Sequence, residues 1–235
     1  MIIDGDIPLK VEVTLATAGT LGEEILKQLE YVNKVNELVI TGPLNGDDYY
    51  QIQNRMPNLM SIDMTNVTME SLPDNFFSRR TALLEIKLPK VLKSIGYGAF
   101  NECYGLTSLV LPEELTTINN NAFYYCKDLK SINLPASLVT MGGESFYECT
   151  SLQSIAIPEK VTVIEDYTFY NCASLSEVKL PAGLSEIKGY AFAYCRALTS
   201  IELPDALTFL RSQAFHSCIY NHRTTKTNQK YPSVN

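Results

Sequence analysis

Apolar side chains recur along this chain at a fixed interval of 23 residues. Leucine stands at 83, 106, 129, 152, 175 and 198, and proline at 89, 112, 135, 158, 181 and 204. Phenylalanine stands at 77, 100, 123, 146, 169, 192 and 215. Within one unit, Leu109 and Leu111 alternate with Ser108 and Val110, the period-2 pattern of a strand with one buried face. Pro112, which has no backbone donor, suits the end of that strand. Leu115 and Ile118 then return to the inside on a turn or a second short extended piece. Phe123 and Cys126 are three apart, a spacing that predicts one helical or 3₁₀ turn burying both.

A unit of this size cannot bury its own apolar face, but stacked units can, because each Leu, Phe and Cys then meets its copy on the next coil. Parallel strands stack about 4.8 Å apart, inside the ~4.5–7 Å range of offset aromatic pairs. A ladder of Phe100, Phe123, Phe146, Phe169, Phe192 and Phe215 is therefore sterically sound. The expected architecture is an α/β solenoid, with a parallel β-sheet on one face and short helical, 3₁₀ or irregular segments on the other. Residues 1–82 read as atypical capping repeats, 83–220 as six regular units and 221–235 as an irregular polar tail, all in one continuous domain. In the first part Val11, Val13 and Leu15 alternate with polar residues as a first strand. Thr20-x-x-Glu23 has the form of a capping box before Ile25 and Leu26, and Asn45 is placed to cap a second helix through Asp47–Met56. The strand pattern of Val35, Leu38 and Ile40 recurs at Leu59 after a step of 24, and again at Leu83.

The unit L-x-x-[LI]-x-[LI]-P-x-x-L-x-x-I-x-x-x-A-F-x-x-C resembles the BspA-like leucine-rich repeats of bacterial surface proteins. The likeness is strongest over 83–220, and the segments 18–21 (Ala-Gly-Thr-Leu) and 41–46 (Thr-Gly-Pro-Leu-Asn-Gly) resemble the opening of such domains. It implies a right-handed coil, a location that is secreted or at the cell surface, and adhesin-like binding of a host matrix protein, a cell-surface protein or a glycan. The first residues, Met1-Ile-Ile-Asp-Gly-Asp, do not read as a signal peptide, so the expectation of export rests on the resemblance.

Composition narrows the function classes. A net charge of −7 argues against nucleic acid as a partner, and no run of 18 apolar residues predicts a spanning helix. Cys103, Cys126, Cys149, Cys172, Cys195 and Cys218 occupy one repeat position. As buried free thiols they act as small apolar side chains. Disulfides between neighbouring coils are allowed by distance, but equivalent side chains point the same way while a disulfide needs converging Cβ atoms. Zinc needs four ligands converging at about 2.3 Å, which thiols strung along a line do not supply. The reading adopted is free thiols, with no disulfide and no metal.

No catalytic constellation and no cofactor motif appears. His216 falls in the slot of Tyr124, Tyr147 and Tyr170, and Ser108, Ser131, Ser154 and Ser200 face outward without a base. Two binding surfaces remain. The outward strand positions, from Glu85 and Lys87 to Ser200 and Glu202, are small and nearly neutral. The Phe–Cys turns carry Tyr124, Tyr125, Tyr147, Tyr170, Tyr190 and Tyr194, either as a binding ridge or as a cover for the Phe ladder. The sequence thus points to a non-catalytic macromolecule-binding module. The alternatives are a glycan-binding surface protein and a structural spacer that displays another module.

Overall fold

A computed structural model describes residues 9–218, so the reading of the polar tail at 221–235 falls outside the described residues. Three rows of backbone run along the solenoid, one from each part of the unit. The first row holds β1 (Lys10–Thr14), β2 (Glu37–Gly42) and β3 (Ser61–Val67), then β5 (Glu85–Lys87), β7 (Ser108–Val110), β9 (Ser131–Asn133), β11 (Ser154–Ala156) and β13 (Glu177–Lys179). The second row holds β4 (Ser71–Leu72), β6 (Ser94–Ile95), β8 (Thr117–Ile118) and β10 (Thr140–Met141), then β12 (Val163–Ile164), β14 (Glu186–Ile187) and β15 (Phe209–Leu210). All pairings are parallel, and in the regular part each partner lies 23 residues on, as in Ser108 with Ser131 and Ser94 with Thr117. The alternation expected from sequence is present: β1, β5, β7, β9 and β11 each present exposed, buried, exposed residues in turn.

Neither strand row is continuous. The ladder of the first falls into β1-β2-β3-β5, β7-β9 and β11-β13, with a bond from Gln153 N–H to the Lys130 carbonyl still crossing from β9 to β11, and that of the second into β4-β6-β8-β10 and β12-β14-β15.

The third row is the Phe–Cys turn, a tight turn with 3₁₀-type bonding that buries both residues, one of the two forms expected from their spacing. Bonds from residue i to i−3, such as Tyr124 N–H to Asn121 and Cys126 N–H to Phe123, fold the chain tightly. Two residues per unit stand in the left-handed region and prevent the turns from joining into a helix. One slot holds Asn75, Gly98, Asn121, Glu144, Tyr167, Tyr190 and Gln213; the other holds Arg79, Glu102, Tyr125, Glu148, Asn171, Tyr194 and Ser217. This arrangement frees alternate N–H groups to donate to the next coil. Asn121, Phe123 and Tyr125 donate to the carbonyls of Gly143, Ser145 and Tyr147 at 3.1, 2.8 and 2.7 Å. The same triplet recurs from Asn75–Arg79 through Tyr167–Asn171, and Phe192 and Tyr194 continue it to Ala214 and His216.

The core follows these rows. Phe77, Phe100, Phe123, Phe146, Phe169 and Phe192 are fully buried, and their rings stack from Phe77 to Phe215 at 5.0–5.5 Å. Each such pair adds about 0.5–1.5 kcal/mol beyond area burial.

The N-terminal units carry α1 (Leu21–Leu26), a 3₁₀ turn (Val32–Lys34), and α2 (Gly46–Tyr50) running into a π turn (Gln51–Arg55). Asn45 caps α2 with a reciprocal capping box to Asp48, as the sequence predicts. The cap of α1 differs from the expectation. Thr20 makes no side-chain cap bond, and its hydroxyl donates instead to the Thr17 carbonyl at 2.8 Å. The buried Asp48 carboxylate takes over, accepting from Leu21 N–H at 2.9 Å and Gly19 N–H at 2.6 Å. One carboxylate therefore satisfies orphan donors at the start of both helices.

Candidate functional site

In three consecutive units the residue after the core Phe is a half-buried tyrosine. Tyr124 stacks on Tyr147 at 4.8 Å, and Tyr147 on Tyr170 at 4.7 Å, with interplanar angles of 16° and 6°. The next copy of this slot is Ala193, so the stack has a gap there. Tyr194, held at φ 61°, fills it by meeting Tyr170 edge-on at 5.2 Å. His216 then extends the row at 5.3 Å from Tyr194. At the other end Tyr125 leans on Tyr124 at 4.7 Å. Tyr167 and Tyr190 share a left-handed slot, stack on each other at 5.0 Å, and join the row through Tyr170 and His216. All six tyrosines singled out from sequence thus lie in one connected row. Tyr167 and His216 belong to it as well, and their shared repeat slots are the signal that places them there.

The row is half-buried and flanked by acid. Burial raises the hydroxyl pKa of Tyr124, Tyr147 and Tyr170 above the ordinary phenol value, and neighbouring tyrosines and the carboxylate of Glu148 push the same way. The hydroxyls therefore remain donors throughout the physiological range. At the row's start Tyr104 donates to Glu102 at 3.2 Å, and the Lys127 ammonium sits 5.0 Å from the Tyr125 ring centre. Stacking also decides what the row can recognise. In the run from Tyr124 to Tyr170 ring faces are turned toward neighbouring rings, so edges and hydroxyls are what the surface offers.

The six cysteines are free, and five are fully buried. Their role was not apparent from composition. Each thiol donates to the carbonyl of the core Phe 26 residues earlier, from Cys103 to Phe77 at 2.9 Å through Cys218 to Phe192 at 3.0 Å. Burial pushes the Cys103 thiol up to about 12 and the half-buried Cys218 thiol to about 11. Such thiols carry almost no thiolate at neutral pH. Ser108, Ser131, Ser154 and Ser200 are exposed, as predicted. Among the described residues no group of His, Cys, Asp and Glu could hold a metal ion, and no helix is long and apolar enough to cross a membrane.

No curated protein matches the chain by sequence. Among solved structures, a leucine-rich repeat protein from Bacteroides ovatus superposes with a TM-score of 0.70 at 26% identity, over 88% of this chain and 55% of that one. The present chain therefore spans about half the length of that relative. The T. pallidum leucine-rich repeat protein superposes with a TM-score of 0.53 at 24% identity, over 84% of this chain and 73% of that one, and supports the fold. The pattern of the BspA type leucine-rich repeat region matches residues 30–130 and 93–222, in six copies. With most of its length inside that match, the chain belongs to the BspA-type leucine-rich repeat family.

Proposed function

We propose that this chain is a non-catalytic binding module, displayed at a cell surface or secreted, that grips a protein partner along the tyrosine ridge. The single observation that carries this reading is the stacked row from Tyr125 to Tyr194. Tyrosine brings large contact area at low entropic cost and a hydroxyl that donates at the rim, the composition of an interface core. The rings are already packed on one another in the chain by itself, which lowers the ordering cost of binding. The glycan alternative is less well supported, because a sugar stacks on an exposed ring face and the faces here are turned on one another.

The test is direct binding of the folded chain to a panel of extracellular matrix and cell-surface proteins, alongside a glycan array. Replacing Tyr124, Tyr147 and Tyr170 together with serine is expected to weaken the strongest protein interaction by about tenfold or more. Far-ultraviolet circular dichroism should be unchanged. Equal affinity for the variant, or binding confined to glycans, would overturn the assignment.

A further inference from the structure

The break in the first strand row opens a cleft. β5 and β7 are neighbours in that row, yet no hydrogen bond pairs them. The break falls where the repeat spacing of this row changes, from 24 residues between Leu59 and Leu83 to 23 between Leu83 and Leu106. Where the row is intact, Glu177 N–H donates to the Gln153 carbonyl. The equivalent pair in the 23-residue frame is Ser108 N–H and Leu84 carbonyl, and these face the cleft unbonded, as do Val110 N–H and Ile86 carbonyl. The cleft has a volume of about 660 Å³, within the usual range of a built ligand site. Leu84, Ile86, Val110 and Pro112 make its apolar walls. Val110 is 84% exposed and Leu84 52%, the former being the largest exposure of any apolar side chain in the core-facing strands. On the rim stand Lys90 on the β5 side and Glu113 and Glu114 on the β7 side. None of these three joins an ion pair among the described residues.

We propose that the cleft between β5 and β7 binds an extended peptide of a protein partner, which inserts an apolar side chain between the two rungs and sets a basic residue against Glu113 and Glu114. An extended backbone alternates donors and acceptors, which is what the freed carbonyls of β5 and amides of β7 require. The apolar side chain covers Leu84 and Val110, which water otherwise meets. Lys90 takes an acidic group at the opposite end of the peptide. The net charge of −7 steers a basic segment toward the surface. This site lies on the strand row and is independent of the tyrosine ridge.

The test uses the whole chain and two blocked peptides, acetyl-Asp-Val-Leu-Val-Lys-amide and a control with serines at the three apolar positions. Backbone amide resonances are followed by NMR during titration. The apolar peptide is expected to give saturable shifts confined to 84–88 and 107–114, and to slow amide exchange at Ser108 and Val110, while the control does neither. Val110→Glu is expected to weaken binding at least about tenfold with an unchanged spectrum elsewhere, because that side chain is exposed. Glu113→Gln combined with Glu114→Gln should weaken it about threefold to tenfold at low salt, and less at high salt. The triple tyrosine-to-serine variant should bind the peptide as the native chain does. No saturable shift at millimolar peptide, shifts centred on the tyrosine ridge, or undiminished binding by Val110→Glu would each overturn the proposal.

Discussion

The strand rows and the turn row both stack one unit on the next, and they do so with unequal persistence. The strands look like the natural spine, yet the ladder of the first row lapses between β5 and β7 and thins to the Gln153–Lys130 bond between β9 and β11, and that of the second row lapses once. The turn row carries complete triplets of inter-coil bonds from Asn75 to Asn171, and Phe192 and Tyr194 extend it by two more, although the turns form no β-ladder. The difference lies in the side chains. Under each turn sits a buried Phe stacked on its copies, and a thiol that gives the Phe carbonyl of the preceding coil a second donor beside its own turn's amide. On the strand face every second side chain is exposed, so less apolar area holds successive rungs in register. Left-handed residues at non-glycine positions cost about 1 kcal/mol or more each. The row retains two per unit because they let alternate amides reach the next coil.

The contrast can be broken in several ways. Phe146→Ala in the middle of the ladder should lower unfolding free energy by about 3–5 kcal/mol, whereas Val110→Ser on the strand face should stay within about 0.5 kcal/mol. Chemical denaturation measures both, and equal costs would remove the distinction. Next comes alkaline pH. The thiols of the turn row have folded pKa values raised from 9.0, to about 12 at Cys103 and about 11 at Cys218. Burial favours the neutral form, so their contribution is complete below pH 9 and is lost as pH climbs toward 11 and 12. The denaturant midpoint should therefore fall steeply between pH 9 and pH 11; a flat profile would place the thiols outside the cooperative core. Gly98→Ala adds a Cβ 2.6 Å from the Asn75 amide oxygen at a left-handed position with φ 56°, and should cost about 1–2 kcal/mol in the same assay. The smallest effect has the opposite sign. Ser145 is buried with a hydroxyl that makes no hydrogen bond in the protein, in a slot that holds Ala99, Ala122 and Ala191 elsewhere. Ser145→Ala should therefore raise stability by up to about 1 kcal/mol, and a loss would mean that the hydroxyl has a use.

Much of this was legible in the sequence, because one residue of each kind falls in one slot of the unit. The Leu, Phe and Cys positions give the register, the buried set and the tyrosine row directly. What escaped is non-local or hidden by variation. The α1 cap comes from Asp48, 27 residues beyond Leu21, and a local capping-box pattern at Thr20 has no means of showing that. The left-handed slots are hinted at by Asn75, Gly98 and Asn121, residues that tolerate positive φ, but Glu144 and Tyr167 mask the series further on. The thiol-to-carbonyl bond spans 26 residues, three more than the repeat, so aligning equivalent positions does not reveal it. The strand break leaves no mark at the residues that border it beyond the change of spacing, because Ser108 and Val110 alternate with the buried leucines there as in intact rungs.

The central claim is that the Phe–Cys turn row, and not the strand face, holds the solenoid together. Native-state hydrogen exchange measures this residue by residue. The amides of Phe100, Phe123, Phe146 and Phe169, bonded to the next coil at 2.7–2.9 Å, should exchange only through global unfolding, while those of Ser108 and Val110 should exchange rapidly in the folded chain. Protection at Ser108 and Val110 equal to that at Phe123, or local exchange at the Phe amides, would contradict it.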